Sequence, residues 1–277
     1  CILFFRLGDF YEMFQEDAKL ASRELDLTLT TRDRGKPEEE RTPMCGVPYH
    51  SSESYIARLV AKGYRVAICE QMEDPATAKG LVKRDITRII TPGTVTESSM
   101  LDERKNNYLA CVTAEDGGFA VAFCDVSTGA FYATEGSLEK ICNELGRFSP
   151  SEVLLGGGAA AEPTLENLLK KRLECCVQKG GAELFSLENA REMLTAQFGS
   201  GCLETDLGDS PAGIMACCGL LRYVAELEKS ELKHINRLQY YVSGQFMELD
   251  LTARRNLGLT ETMRTKEKKG SLLWVLD

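Results

Sequence analysis

The sequence predicts an α/β protein of two successive sheet domains followed by a helical tail. Three observations carry that prediction. Apolar runs of strand length alternate with segments of helical period over residues 1–97. A polar stretch without strand character, "TESSMLDERKNN" at 96–107, interrupts the alternation. Beyond it, three strand-like runs follow one another directly before helical patterns return. The chain has 277 residues, more than one average domain holds. It begins at Cys1 and stops inside a pattern, "SLLWVLD", and so reads as a piece of a longer protein.

Each element has a local reason. "CILFFRL" is an apolar run fit for a buried strand. Gly8 follows, then Asp9 as a candidate N-cap. Tyr11, Phe14, Ala18, Ala21 and Leu25 then recur at helical spacing, which predicts a helix over 9–25. "LDLTLTTR" alternates at period two and predicts a strand, and "RGKPEEERTP" is loop. "SSESYIARLVAKG" opens on a Ser cap and closes on Gly63, a helix of about ten residues. "YRVAICEQ" and "ITRIITPGTV" read as strands.

After the boundary, "YLACVTAE", "FAVAFCDV" and "GAFYATE" form an antiparallel meander, with Gly117-Gly118 and Ser127-Thr128-Gly129 at the turns. "SLEKICNELGRF", "EVLLG", "LENLLKKRL", "CCV" and "LENAREMLTAQFG" then alternate helix and strand. Three meandering strands followed by strand–helix alternation is the order of ribonuclease-H-like folds. Ser210-Pro211 opens a strong helix, "PAGIMACCGLLRYVAELEK", with Pro at its first turn. The expected domains are 1–97, 107–204 and a helical region over 205–277.

Composition excludes several function classes. No segment approaches the roughly 18 apolar residues of a membrane span. The 11 cysteines include adjacent pairs but no C-x-x-C, and His50 and His234 are the two histidines, so structural zinc and a secreted disulfide framework are not expected. Reduced thiols in a cytoplasmic protein are. No P-loop and no G-x-S-x-G occur, so no nucleotide hydrolysis, catalytic residue or cofactor is expected in this chain. Residues 1–97 hold 14 Lys+Arg against 16 Asp+Glu, and the remainder 19 against 26. Neither part carries the basic footprint of a self-sufficient nucleic-acid binder.

Two places could carry chemistry. Asp125, in "AFCDVSTG", stands where a ribonuclease-H-like nuclease holds a metal ion, with Glu152 as the nearby strand-end carboxylate. Its plainer role is to fix the Ser127-Thr128-Gly129 turn. Phe10-Tyr11-Glu12, in "RLGDFYEMF", also admits two readings. Asp9 and Glu12 have capping-box spacing and Phe10 could be core, which would suit a scaffold for protein contacts. Alternatively, an aromatic beside a carboxylate at an exposed helix mouth suits stacking on a base and hydrogen bonding to its edge. The loop "PYHSSESY" reads as turn and cap chemistry with His50 structural, "KSELKH" and "RTKEKKG" as solvated charge runs, and "MACCGLL" as a core-facing helix.

Longer motifs bear on the choice. "FFRLGDFYEMF", "PMCGVPYHS", "GYRVAICEQMEDPATAKGLVKRDITRIITPGTV", "FAVAFCDVSTGAF" and "LTARRNLGLTE" closely resemble, in order and spacing, the N-terminal region of the bacterial MutS family of DNA mismatch repair proteins. The resemblance implies a mixed-sheet mismatch-binding domain, a ribonuclease-H-like connector without nuclease activity, and the start of a lever and core region. It implies that Phe10 wedges into the minor groove and stacks on the mispaired base, while Glu12 hydrogen-bonds to that base. Arg32 and Arg84 match backbone-contacting arginines, and Met44 a loop that nears the mismatch. The implied partners are double-stranded DNA with mismatches or small insertion/deletion loops, MutL, and a second copy in a homodimer. An ATPase module using ATP and magnesium belongs to the family but matches no part of this chain.

Overall fold

The computed structural model describes residues 1–33, 35, 37–73, 80–101, 105–242, 249, 253, 256–259, 262 and 269–276. The described residues divide into two compact units. The first comprises Cys1–Asn107 with Asp125–Thr128 and Arg222–Lys233, and the second comprises Tyr108–Cys124, Gly129–Leu221 and His234–Asp277.

The first unit is a mixed sheet in the order β3-β4-β2-β1-β5-β6. Its strands are β1 (Ile2–Leu7), β2 (Phe10–Phe14), β3 (Thr30–Thr31), β4 (Pro43–Pro48), β5 (Val66–Gln71) and β6 (Arg84–Ile90). Helices α1 (Gln15–Leu25) and α2 (Ser52–Ala61) supply Ala18, Ala21, Leu25, Ile56, Leu59 and Val60 to a core shared with Ile2, Phe4, Tyr11, Met13, Cys45 and Val47. Each of the larger side chains contributes about 1.5–3 kcal/mol by leaving water. Arg88 ties the later segments of this unit together, donating to Glu97 Oε1 at 2.6 Å, Glu228 Oε1 at 3.1 Å and the Thr94 carbonyl.

The structure departs from the helix predicted over 9–25. Gly8, at φ +59°, and Asp9 form a two-residue turn, and the chain doubles back so that Leu7 faces Phe10, Arg6 faces Tyr11 and Phe5 faces Glu12. A glycine at the first central position is what such a hairpin turn demands. The helix starts only at Gln15, and Asp9 and Glu12 cap nothing. The spacing misled because Tyr11 and Phe14 fit a helical stripe that truly begins at Ala18. "FYEMF" instead alternates at period two, with Tyr11 and Met13 buried. The strand predicted from "LDLTLTTR" shrinks to Thr30–Thr31, because Asp26 (φ +58°) terminates α1 in the left-handed region.

The second sheet runs β11-β10-β7-β8-β9-β12. The predicted meander is β7 (Leu109–Glu115), β8 (Gly118–Asp125) and β9 (Ala130–Gly136); β10 (Glu152–Gly157) and β11 (Cys176–Lys179) follow in parallel. This is the ribonuclease-H-like order. Helices α3 (Leu138–Phe148) and α4 (Pro163–Lys171) place Ile141, Leu145, Leu165, Leu168 and Leu169 on Val112, Phe123, Val153 and Leu155. Further on lie α5 (Ala190–Phe198) and α6 (Pro211–Glu228), where Ser210 Oγ accepts from the Gly213 N–H at 2.9 Å and Pro211 fills the first turn. One strand has no signal in the sequence. β12 (Arg237–Tyr240), in the region predicted helical, pairs parallel with β9. The motif "LTARRNLGLTE" and the run "RTKEKKG" lie largely outside the described residues.

Buried Phe185 occupies a slot made by three glycines. An added Cβ at Gly156 would overlap its ring, and at Gly180 and Gly219 would stand 2.6 and 2.7 Å from it. Gly156→Ala should therefore cost about 1–3 kcal/mol of unfolding free energy in a urea titration. An unchanged midpoint would mean that Phe185 can leave the slot freely.

Candidate nucleic-acid interface

The candidate surface is the face of β2 turned away from α1 and α2. On a strand, residues two apart share a face. Burial of Tyr11 and Met13 in the core therefore sends Phe10, Glu12 and Phe14 to the opposite side. Phe10 leads the strand, immediately after the turn, and is 47% exposed. It is thus not a core residue. Glu12, two positions on, points the same way, whereas on a helix the two would diverge.

The neighbours of Glu12 keep this face open on one side and anchored on the other. Gly46 of β4 pairs with Glu12, so no side chain stands beside the carboxylate there; an added Cβ would lie 3.5 Å from Glu12 Cγ. Phe5 of β1 flanks it across the sheet and meets Phe14 edge-on, with ring centres 6.5 Å apart. The Glu12 side chain is only 14% exposed, and Oε2 is buried with no hydrogen-bond donor. Arg32 is its charge partner, with Nε at 3.6 Å, beyond hydrogen-bond reach, and a side chain 57% exposed. Oε2 itself is closed to solvent, so an N–H from outside the protein meets this carboxylate only if the Glu12 side chain turns outward from Arg32.

The other predicted residues occupy different places. Met44 stands on β4, not in a loop, paired with Phe14 and Thr30. It shares the face but lies four rungs from Phe10, roughly 13 Å along the strand. Arg84 opens β6. Its Nε donates to the Arg6 carbonyl at 3.0 Å and Nη1 to the Val82 carbonyl at 2.8 Å, while its guanidinium lies 5.2 Å from the centre of the Phe5 ring. His50 is exposed, its ring edge-on to that of its neighbour Tyr49 with centres 5.8 Å apart.

Sequence reading missed the supports of the hairpin. Arg6 Nε donates to the Gly8 carbonyl at 2.5 Å, and its guanidinium sits 3.5 Å from the centre of the Tyr49 ring. The Tyr49 N–H donates to the Asp9 carbonyl at 3.0 Å. Tyr11 donates its hydroxyl to Glu70 Oε1. Burial first, then Glu70, pushes the Tyr11 phenol far above its ordinary range, with Arg6 opposing. No short motif announces these partners, because they meet only through strand register.

Asp125 has no catalytic surroundings. It is buried, Oδ1 accepts from the Ser127 N–H (2.9 Å), the Ser127 hydroxyl (2.6 Å) and the Thr128 N–H (3.2 Å), and Oδ2 from the Asn107 N–H (3.2 Å). These bonds fix the turn after β8 and use the carboxylate fully. Among the described residues, no group of three or more His, Cys, Asp or Glu could hold a metal ion. The nuclease reading is therefore set aside. The cysteines are free thiols; burial raises Cys45 to about 11 and raises Cys69 despite nearby Arg84.

Glu12→Ala should leave the unfolding free energy within about 0.5 kcal/mol of the parent, or raise it, because the side chain caps no helix and holds an unbonded buried oxygen. A thermal melt showing a loss of about 1 kcal/mol or more would make the carboxylate part of the fold.

Comparison with known proteins identifies the family. Residues 1–99 match the family model for MutS domain I, and residues 107–236 that for MutS domain II. Over its whole length the chain is 48% identical to DNA mismatch repair protein MutS of Ruminiclostridium cellulolyticum and 48% identical to that of Acetivibrio thermocellus. It is 49% identical to that of Clostridium novyi. It spans 32%, 32% and 30% of those relatives, about a third of their length. The chain belongs to the MutS family.

Proposed function

We propose that this chain reads base mismatches in duplex DNA, with Phe10 as the wedge and Glu12 as the hydrogen-bonding partner of the displaced base. The observation that carries the proposal is that Phe10 and Glu12 lie two apart on one open strand face, directly behind an exposed hairpin tip. An aromatic wedge in the minor groove partly unstacks a base step and kinks the duplex, at a cost of a few kcal/mol. A mispaired step is already poorly stacked, so that cost is lower there, and the difference is read as specificity. Stacking on Phe10 returns about 1–3 kcal/mol whatever the base, a tolerance that a sensor of mismatches and small insertion/deletion loops requires. The Glu12 carboxylate supplies the acceptor.

Arg32 and Arg84 contact the phosphate backbone in this reading, and Met44 lies nearby. Arg32 is the better exposed of the two for that task. With a net charge of −9, this chain is a poor source of phosphate affinity, which comes instead from the other two thirds of the protein. Residues 1–97 recognise the mismatch, 107–204 connect and relay to MutL and to an ATP- and magnesium-dependent ATPase module, and 205–277 begin the lever and core. The whole protein works as a homodimer in the cytoplasm. No helix among the described residues is long and apolar enough to cross a membrane.

In the full-length protein, Phe10→Ala should weaken heteroduplex binding roughly 5- to 150-fold and leave matched duplex nearly unchanged. Glu12→Ala should tighten binding to matched duplex and lower discrimination, because a carboxylate among phosphates is repelled wherever it lacks a base partner. Titrations in which both variants keep the parent's mismatch preference would remove the proposal's basis. Arg32→Ala and Arg84→Ala should each weaken matched and mismatched DNA alike and flatten the salt slope by about one unit. A loss confined to mismatched DNA would assign them to base readout.

A further inference from the structure

Arg6 is placed to act on Phe10 without touching DNA. Its side chain is 16% exposed, so its charge is largely withdrawn from any phosphate, and Glu70 Oε2 lies 4.0 Å from Nη1 to balance it. The guanidinium lies over Tyr49 at 3.5 Å and near Tyr11 at 5.6 Å, while Nε holds the Gly8 carbonyl. Tyr49 itself holds the Asp9 carbonyl through its N–H. Both carbonyls of the two-residue turn are thus bound by two residues that stack on each other. Phe10 follows that turn directly, so the direction of its ring is set by the turn's conformation. Gly8, Asp9 and Phe10 are exposed at the end of the ladder, where local opening is easiest.

We propose that Arg6 is a positioning residue for mismatch recognition. Stacked on Tyr49 and bonded to the Gly8 carbonyl, it holds the turn in one conformation, so that Phe10 enters the helix already ordered. The inference rests on the function proposed above and adds the group that prepares the wedge. The task calls for a guanidinium, which is planar, stacks on aromatic faces and donates in its own plane. A lysine keeps the charge but cannot stack and donate in that fixed geometry.

The test is a double-mutant cycle in the full-length protein, using Arg6→Lys, Phe10→Ala and the pair, titrated with heteroduplex and homoduplex. Arg6→Lys is expected to weaken heteroduplex binding about 2- to 13-fold, the cost of ordering the tip on binding. Homoduplex should be unchanged, and in the Phe10→Ala background Arg6→Lys should have no further effect. Tyr49→Leu, which removes the stack, should reproduce this pattern, and Tyr49→Phe, which keeps the ring, should retain the parent's preference. An Arg6→Lys effect that persists without Phe10, or that strikes both duplexes equally, would overturn the proposal. So would an unchanged heteroduplex affinity for both Arg6→Lys and Tyr49→Leu where Phe10→Ala is costly. If Phe10→Ala itself costs nothing, the wedge reading fails, and the role of Arg6 falls with it.

Discussion

The two-residue turn at Gly8 and Asp9 sets the register of β2 against β1, and with it the direction of every side chain from Phe10 to Phe14. A shift of one residue would exchange the two faces, sending Phe10 and Glu12 inward and Tyr11 and Met13 into solvent. The core forbids that exchange. Tyr11 and Met13 are packed with Phe4, Cys45 and Val47, and the hydroxyl of Tyr11 is bonded to Glu70. Burial on one face therefore specifies presentation on the other. Gly46 completes the arrangement by leaving the position beside Glu12 without a side chain.

Much of the fold was legible because period and turn chemistry are local. The meander β7–β9, α2 with its closing Gly63, and α6 with Ser210 and Pro211 at its start all carry their signals within a few residues. The stretch 9–14 was misread because Tyr11 and Phe14, taken with Ala18, Ala21 and Leu25, mimic a helical stripe that crosses a real boundary at Gln15. Thr30–Thr31 and β12 are too short to show a period. Phe10 and Glu12 stood out through the family motif. Their side-by-side orientation did not, since it follows from a strand register that no single segment contains. Arg6, Tyr49 and Gly46 were missed for the same reason, being partners only across the sheet.

The second sheet illustrates the opposite outcome. A carboxylate at the end of a meander strand invites a metal-dependent reading in sequence, yet Asp125 spends both oxygens on Asn107, Ser127 and Thr128. Glu12 and Asp125 are both withdrawn from solvent, and what separates them is bonding. Asp125 is bonded at one oxygen by its own turn and at the other by Asn107, whereas Glu12 keeps a buried oxygen without a donor. Unbonded buried acceptors are uncommon in folded proteins, and this one lies beside an exposed aromatic on an open face. That contrast separates a carboxylate bonded within its own fold from one with an oxygen left unbonded.

The central claim is that one strand face presents Phe10 and Glu12 to the same nucleotide. A structure of the full-length protein on a heteroduplex tests it most directly. The expected complex has the Phe10 ring stacked on the mispaired base, the Glu12 carboxylate accepting a hydrogen bond from that base, and the Gly8-Asp9 turn unmoved with Arg6 still on Tyr49. A complex in which Phe10 stays packed on protein, or in which Phe10 and Glu12 meet different nucleotides, would contradict it.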